Sequence, residues 1–332
     1  MKTANFAGRR DFVRMTALST LGVLGHSIAG AEDVYPNKPI KLLNPSPPGS
    51  SFDTIFRSAN IEAEKKLGQP VVMDFRSGAG GTPAFLATKN ASPDGYNLVV
   101  LGLSTIRQPI QQDVGYDAVK DFTWIISMSE INFGIVVPAS SPFKTWKDFL
   151  GWAKTHSDRV SFGCPSGLGN SAHLFGSEIS ARENAKWVPV PYRGSNDTMV
   201  ALLSGQITFS IDTLISAAPQ VRDGKARILA IASSQRSPLW LDIPTTRELG
   251  YDLVIESLVG IGGPAGMSAR VVQTLHDAYK FALDQPSFLR VLEQGSLRPR
   301  YMGPKEFQQY AERAAVEQKQ LMTKYGFAKK ES

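Results

Sequence analysis

The sequence has 332 residues, of which 42% are hydrophobic, and its formal net charge at pH 7 is +6. A chain of this size is long enough to fold into two globular domains, each with its own core. Its basic residues are scattered and form no stripe, which argues against a protein that binds nucleic acid. The single cysteine, Cys164, excludes an internal disulfide, and the histidines show no zinc-type spacing. We therefore expect no structural metal and no cofactor.

The N-terminal segment has the features of a secretory signal. Arg9 and Arg10 precede a mildly apolar stretch over residues 15–28, and small residues follow up to Ala31. This pattern predicts a signal peptide of twin-arginine type over residues 1–31, cleaved near Ala31, which places the mature protein in the periplasm. A membrane anchor would need about 20 strongly apolar residues, and this stretch is shorter.

Short apolar runs rich in β-forming residues alternate with helix-like segments along the rest of the chain. The predicted strands cover 40–43, 71–75, 98–103, 134–137, 160–163, 187–190, 207–211 and 228–232, and the clearest helical patterns cover 52–67, 271–282 and 304–324. This alternation predicts an α/β protein with a mainly parallel sheet. No long flexible linker interrupts it, so we expect two lobes, with 32–135 plus 257–332 forming lobe 1 and 136–256 forming lobe 2.

Two similar turns stand out as candidate anion sites. The stretch NPSPPGSSFD, residues 44–53, separates a predicted strand from a helix that begins near Ser51. The stretch SFGCPSGLGNSAHLFGSEI, residues 161–179, repeats this arrangement, with Ser171 as the expected N-cap. Backbone N–H groups at a helix start have no partner within the helix and can bind an anion. If the two turns face each other, they hold a carboxylate without needing a buried arginine.

Enzyme classes provide the alternatives. The residues 169–173 begin like the Gly-x-Ser-x-Gly nucleophile elbow, so a periplasmic serine hydrolase using Ser171 and His173 is the second hypothesis, although the second glycine is missing. A thiol enzyme would use Cys164 with His173. The glycines at 78–81 do not continue as a dinucleotide-binding motif, because Pro83 occupies the position of the third glycine.

Seven stretches of the chain together carry a family resemblance. They are YPNKPIKLLNPSPPGSSFD, GQPVVMDFRSGAGGTPA, SPDGYNLVVLG, YDAVKDFTWI, VPYRGSNDTMVALLSGQI, DIPTTRELGY and GPAGMSARVVQTLHDA, and they occur in order over residues 35–325. The chain resembles the Bug-type periplasmic solute receptors of the tripartite tricarboxylate transporter family. The resemblance implies a type II periplasmic binding protein fold, with two α/β lobes around a central cleft that close over a carboxylated ligand. It also implies a monomeric receptor, not an enzyme, that delivers a small organic acid to a membrane permease of one large and one small subunit.

The two turns and the resemblance together predict the ligand-binding residues. They are Ser46, Pro47, Gly49, Ser50, Ser51, Phe52, Asp53, Ser104, Thr105, Arg107, Ser166, Leu168, Gly169, Asn170, Ser171, His173, Arg193 and Asp212. Phe52 and the stretch 106–109 depart from the family pattern. Leu168 completes a possible apolar lining, which favours an aromatic or long-chain acid over citrate. Several alternatives stay open. In these, Phe52 is a core residue of its helix, Leu168 is a loop residue that covers the hinge, and Arg107 is a solvated loop charge instead of a fork for a second carboxylate. Likewise, Asp212 is a cap or turn residue, and His173 orients its loop.

Overall fold

The structure is a computed structural model. It describes residues 35–165, 167–237, 239–255 and 257–330, so the signal peptide predicted over residues 1–31 and the predicted site residue Ser166 lie outside the described residues. The segment Tyr35–Ser332 forms one compact unit. Within the described residues, no helix combines the length and apolar composition of a membrane span, and no cluster of three or more His, Cys, Asp or Glu side chains is placed to hold a metal ion.

Two separate sheets are built from the eleven strands of the described residues. The strands are β1 (Ile40–Asn44), β2 (Val71–Phe75), β3 (Asn97–Leu101), β4 (Phe122–Ile131), β5 (Phe133–Pro138), β6 (Ser161–Pro165), β7 (Val188–Tyr192), β8 (Phe209–Thr213), β9 (Ala226–Ile231), β10 (Ser257–Pro264) and β11 (Arg298–Met302). The first sheet has the order β11-β4-β10-β3-β1-β2, and the second has the order β7-β6-β8-β5-β9.

Helices cover both faces of each sheet. They are α1 (Ser51–Leu67), α2 (Thr82–Lys89), α3 (Leu103–Gln111), α4 (Trp146–Thr155), α5 (Ser171–Arg182), α6 (Ser195–Leu203), α7 (Leu214–Arg222), α8 (Ala269–Leu283), α9 (Pro286–Gln294) and α10 (Pro304–Lys324). On the first sheet, α1, α8 and α9 pack on one face, and α2, α3 and α10 pack on the other. On the second sheet, α4 and α5 cover one face, and α6 and α7 cover the other.

The pleat of the strands explains why each lobe has three layers. In β3, Leu98 and Val100 contribute to the core under α1 and α8, whereas Val99 and Leu101 contribute to the core under α2, α3 and α10. Successive side chains of a strand point to opposite faces, so an uninterrupted apolar strand can bury both. The predicted architecture of two α/β lobes is confirmed.

The sheets are mixed, so the prediction of a mainly parallel sheet is wrong. β1 pairs in parallel with β2 and β3, and β6 with β7 and β8, but β10 is antiparallel to β3 and β4, β4 to β11, and β5 to β8 and β9. Apolar periodicity does not reveal β10, which contains three glycines, or β11, which is polar and mostly exposed. The strand predicted over 98–103 also ends earlier, because α3 begins at Leu103.

Helix α10 contacts both lobes. Near its start, the Phe307 ring packs edge-on against Trp124 of β4, with ring centroids 4.7 Å apart. At its end, Lys324 forms an ion pair with Glu178 of α5. The chain leaves the first sheet after β4 and enters the second at β5, and it returns to the first sheet at β10. The lobe limits at 135/136 and 256/257 stay a prediction.

Candidate functional site

The first turn is held together by its own side chains. Ser50 caps α1 by accepting a hydrogen bond from the Asp53 N–H, and the Asp53 carboxylate accepts one from the Gly49 N–H at 2.7 Å. Gly49 has a φ of +78°, a conformation that favours glycine. The N–H groups of Ser51 and Phe52 make no hydrogen bond with the described residues and remain available to an anion.

The second turn has the same construction, but its cap is Asn170 and not the predicted Ser171. The Asn170 Oδ1 accepts a hydrogen bond from the His173 N–H at 2.9 Å, and Ser171 is the first residue of α5. An amide oxygen and a serine hydroxyl cap equally well, so residue type does not distinguish these neighbours. The N–H groups of Ser171 and Ala172 have no partner among the described residues.

His173 positions the second turn, and it does not line the cavity between the turns. Its Nδ1 accepts a hydrogen bond from the Gly169 N–H at 3.1 Å, which leaves the ring proton on Nε2. Phe327, beyond the end of α10, packs edge-on against the imidazole. Burial lowers the pKa of His173, so the ring stays neutral at pH 7. The alternative that His173 orients its loop agrees with this geometry.

A cavity of about 360 Å³ lies between the two turns. We call it the front cavity. The predicted residues that line it are Ser46, Phe52, Ser104, Arg107, Leu168, Gly169, Asn170 and Ser171. The lining residues that the sequence does not predict are Gly80, Leu103, Gln108, Gln111, Ile131, Phe133, Pro165, Ala172, Ser195, Thr213 and Ser257. Phe52 also packs against the core of the first lobe, so both of its alternatives hold in part.

The starts of five helices border the front cavity. Phe52, Ser104, Ser171 and Ser195 lie in the first turns of α1, α3, α5 and α6, and Thr213 is the N-cap of α7. Each of these helices follows a strand, so their N-termini meet where the carboxyl ends of the strands come together. Helix N-termini carry partial positive charge, and the lining contains no Asp or Glu among the described residues. The front cavity therefore attracts anions.

Of the described residues that line the front cavity, Arg107 is the charged one, and it is buried. Its Nη1 donates a hydrogen bond to Ser171 Oγ at 2.7 Å, and its Nε donates one to Gln318 Oε1 at 2.7 Å. Both partners are neutral. Burial lowers the pKa of Arg107 to about 10, so the guanidinium stays charged at pH 7. Because Arg107 lies in α3 and is only 8% exposed, the alternative of a solvated loop charge is wrong.

Asp212 lies directly behind the cavity wall. Its Oδ1 accepts hydrogen bonds from the Ser195 hydroxyl at 2.5 Å and from the Thr213 N–H at 2.7 Å, whereas its buried Oδ2 has no partner among the described residues. Burial raises the pKa of Asp212 to about 6. Asp212 therefore fixes two residues that do line the cavity.

The remaining predicted residues lie outside the lining. These are Pro47, Gly49, Ser50, Ser51, Asp53, Thr105, His173, Arg193 and Asp212. Thr105 is buried and accepts a hydrogen bond from the Gly102 N–H. Arg193 is exposed and pairs with Asp197 at 2.7 Å. The sequence pattern could also have predicted Ser195 as a site residue. The stretch RGSND places a serine after a glycine at a strand-to-helix turn, as GSS does in the first turn.

The geometry does not supply the nucleophile and base that the enzyme hypotheses require. The Ser171 hydroxyl is bound by an arginine, which cannot accept a proton, and His173 Nδ1 is occupied by a backbone N–H. Burial raises the pKa of the Cys164 thiol to about 12, which keeps it protonated at neutral pH.

Two α/β lobes with an anion-attracting cavity between their strand ends define a solute-binding protein of the type II periplasmic class. A family model described as "Tripartite tricarboxylate transporter family receptor" matches residues 55–327. The chain belongs to this family of receptors, which work with a transporter, and the resemblance seen in its sequence motifs is confirmed. As a member of a family of periplasmic binding proteins, it is assigned to the periplasm.

Three similar proteins illustrate this membership. A Cupriavidus necator protein described as "UPF0065 protein in gbd 5'region" is 33% identical over 99% of both chains. A solved structure described as a periplasmic transporter is 31% identical, with a TM-score of 0.78, and the match covers 89% of this chain and 99% of that chain. MatC from Rhodopseudomonas palustris, solved with bound malate, is 25% identical, with a TM-score of 0.72, and the match covers 86% of this chain and 99% of that chain.

Proposed function

We propose that this protein binds a carboxylated small molecule, a dicarboxylate or an aromatic carboxylate, in the front cavity by closure of its two lobes. It acts as a monomer without enzymatic activity, after removal of a twin-arginine signal near Ala31, and it delivers the ligand to a permease of one large and one small subunit. Of the predicted site residues, those that line the front cavity contact the ligand.

The observation that carries this proposal is that the buried cation Arg107 lines the front cavity, where the N-termini of five helices meet. A guanidinium has five N–H donors, and the two described hydrogen bonds of Arg107 leave the others for a ligand. A buried charge without an opposite partner is costly, and a bound carboxylate removes that cost. MatC, a relative that binds malate, fits the same ligand chemistry.

The lining also favours acids over amino acids. Among the described lining residues, an ammonium group in the front cavity would find Arg107 and helix N-termini but no carboxylate, because Asp212 lies behind Ser195 and Thr213. A cationic ligand group would therefore be desolvated without compensation. We expect succinate and adipate to bind more tightly than aspartate.

The decisive experiment is a thermal-shift screen of the mature protein against aliphatic acids, aromatic acids and amino acids, followed by calorimetric titration. A receptor shows saturable binding at one site, a raised melting temperature and recovery of the ligand unchanged by mass spectrometry. If no acid of the panel binds, the proposal fails. Turnover of an ester or amide that Ser171→Ala abolishes would instead support a hydrolase.

Ser171→Ala is expected to weaken adipate binding by about tenfold, because it removes a hydroxyl that borders the cavity and orients Arg107. The matched control is Ser51→Ala, which changes the corresponding first residue of α1 outside the lining. That control should keep its affinity within about twofold. Calorimetric titration of both variants checks this pair, and equal losses would contradict the assignment of Ser171 to the site.

A further inference from the structure

A second cavity of about 560 Å³ adjoins the front cavity. It lies among α3, α5, α10 and the segment 253–255, and we call it the rear cavity. Leu103, Arg107 and Ser171 line both cavities. The two spaces are therefore neighbours that share one wall, and the shared wall contains the buried cation.

The shared wall includes one hydrogen bond between the lobes. Arg107 of α3 donates this bond to Ser171 of α5, and the two helices belong to different lobes. A carboxylate is a stronger acceptor for a guanidinium than a hydroxyl is. A ligand carboxylate that accepts hydrogen bonds from the remaining N–H groups of Arg107 lies at the wall that the two cavities share.

The walls of the rear cavity are mainly apolar. Leu174, Phe175 and Ile255 are buried, and Leu321 of α10 also lines the cavity. Of the described lining residues, the second cation is Lys324, and it is already paired with Glu178. The rear cavity therefore suits an apolar group and offers little to a second carboxylate.

We infer that the rear cavity receives the apolar body of an elongated aryl- or alkyl-carboxylate whose carboxylate is bound at Arg107. This inference rests on the proposed function, because the anchor is the same. It assigns the apolar part of such acids to the rear cavity, whereas short dicarboxylates use the front cavity alone.

The test compares adipate with 6-phenylhexanoate, which keeps a six-carbon chain with one carboxylate but has a phenyl-bearing methylene in place of the other carboxylate. Val254→Trp and Leu321→Trp place an indole into the rear cavity from two different segments of its wall. Val254 is 38% exposed, so its replacement leaves the core intact. The control is Val316→Trp, on α10 but 60% exposed and outside the lining of both cavities.

We expect both rear-cavity variants to weaken 6-phenylhexanoate binding by about tenfold or more in calorimetric titration and to change adipate binding by less than about twofold. Val316→Trp should change neither. If adipate binds and 6-phenylhexanoate does not, or if all three variants affect it alike, the inference is overturned and the proposed function stands. If neither acid binds the wild-type protein, both fall.

Discussion

Arg107→Met is expected to weaken adipate binding by about 100-fold, because each hydrogen bond from a charged donor to a carboxylate contributes about 1.5 to 3 kcal/mol. The ligand-free variant should be at least as stable as the wild type. The change removes a buried cation with neutral partners and leaves an apolar side chain of similar length in its place. Calorimetric titration measures the affinity, and urea denaturation without ligand measures the stability.

Arg193→Met is the matched control for this prediction. Arg193 has the same charge, but its side chain is 93% exposed and paired with Asp197. Its loss should leave the affinity for adipate within about twofold of the wild type. Wild-type affinity in Arg107→Met would contradict the assignment of Arg107 as the anion anchor. A large loss of stability in that variant would show that the arginine supports the fold instead.

Asp212→Asn is expected to change how the stability of the protein depends on pH. Burial raises the pKa of Asp212 to about 6 in the folded state, whereas an Asp in an unfolded chain has a pKa of about 3.9. Between these values the folded state holds the proton more tightly, so the free energy of unfolding falls as pH rises. Ionisation of Asp212 thus costs about 2 to 3 kcal/mol of stability above pH 6.

The measurement is urea denaturation of the wild type, Asp212→Asn and Asp148→Asn from about pH 3 to pH 7. The free energy of unfolding of the variant relative to the wild type should rise through this window by about 2 to 3 kcal/mol and then level off. Asp148→Asn gives a control of opposite sign. Hydrogen bonds, the Thr145 hydroxyl first, lower the pKa of Asp148, so the stability that this variant loses should shrink as the pH falls below about 4. A difference independent of pH in Asp212→Asn would contradict the prediction.

Local patterns predict much of the fold because they reflect local physics. Helix α1 ends at Gly68, whose φ of +66° is the left-handed C-cap that glycine favours. Local sequence patterns do not predict strand β10. A Cβ at Gly260 would lie 2.0 Å from the Ile126 carbonyl oxygen, so this position admits no side chain and no apolar pattern. The pairing of β10 with β4 requires this glycine. Because glycine has no apolar side chain, the strand shows no apolar periodicity in the sequence.

Local sequence patterns likewise predict one part of the candidate site and not the other. The two turns are recognisable because prolines, glycines and serines between a strand and a helix have local conformational causes. Asn170 and Ser171 compete for one cap, and the choice between them depends on a single turn of the backbone. Ser195 and Thr213 line the cavity because β7 and β8 end beside β6, and this neighbourhood is set by the order of the second sheet.

The sequence by itself determined the family and the two turns with free N–H groups, because these depend on residues close together in the chain. Only the tertiary structure decided what Arg107 does. Its partners are Ser171, 64 residues away, and Gln318, 211 residues away. Whether a guanidinium is solvated or buried depends on which elements pack around it, and those elements come from distant parts of the chain. The cation that anchors the proposed ligand is therefore a product of the folded arrangement of α3, α5 and α10.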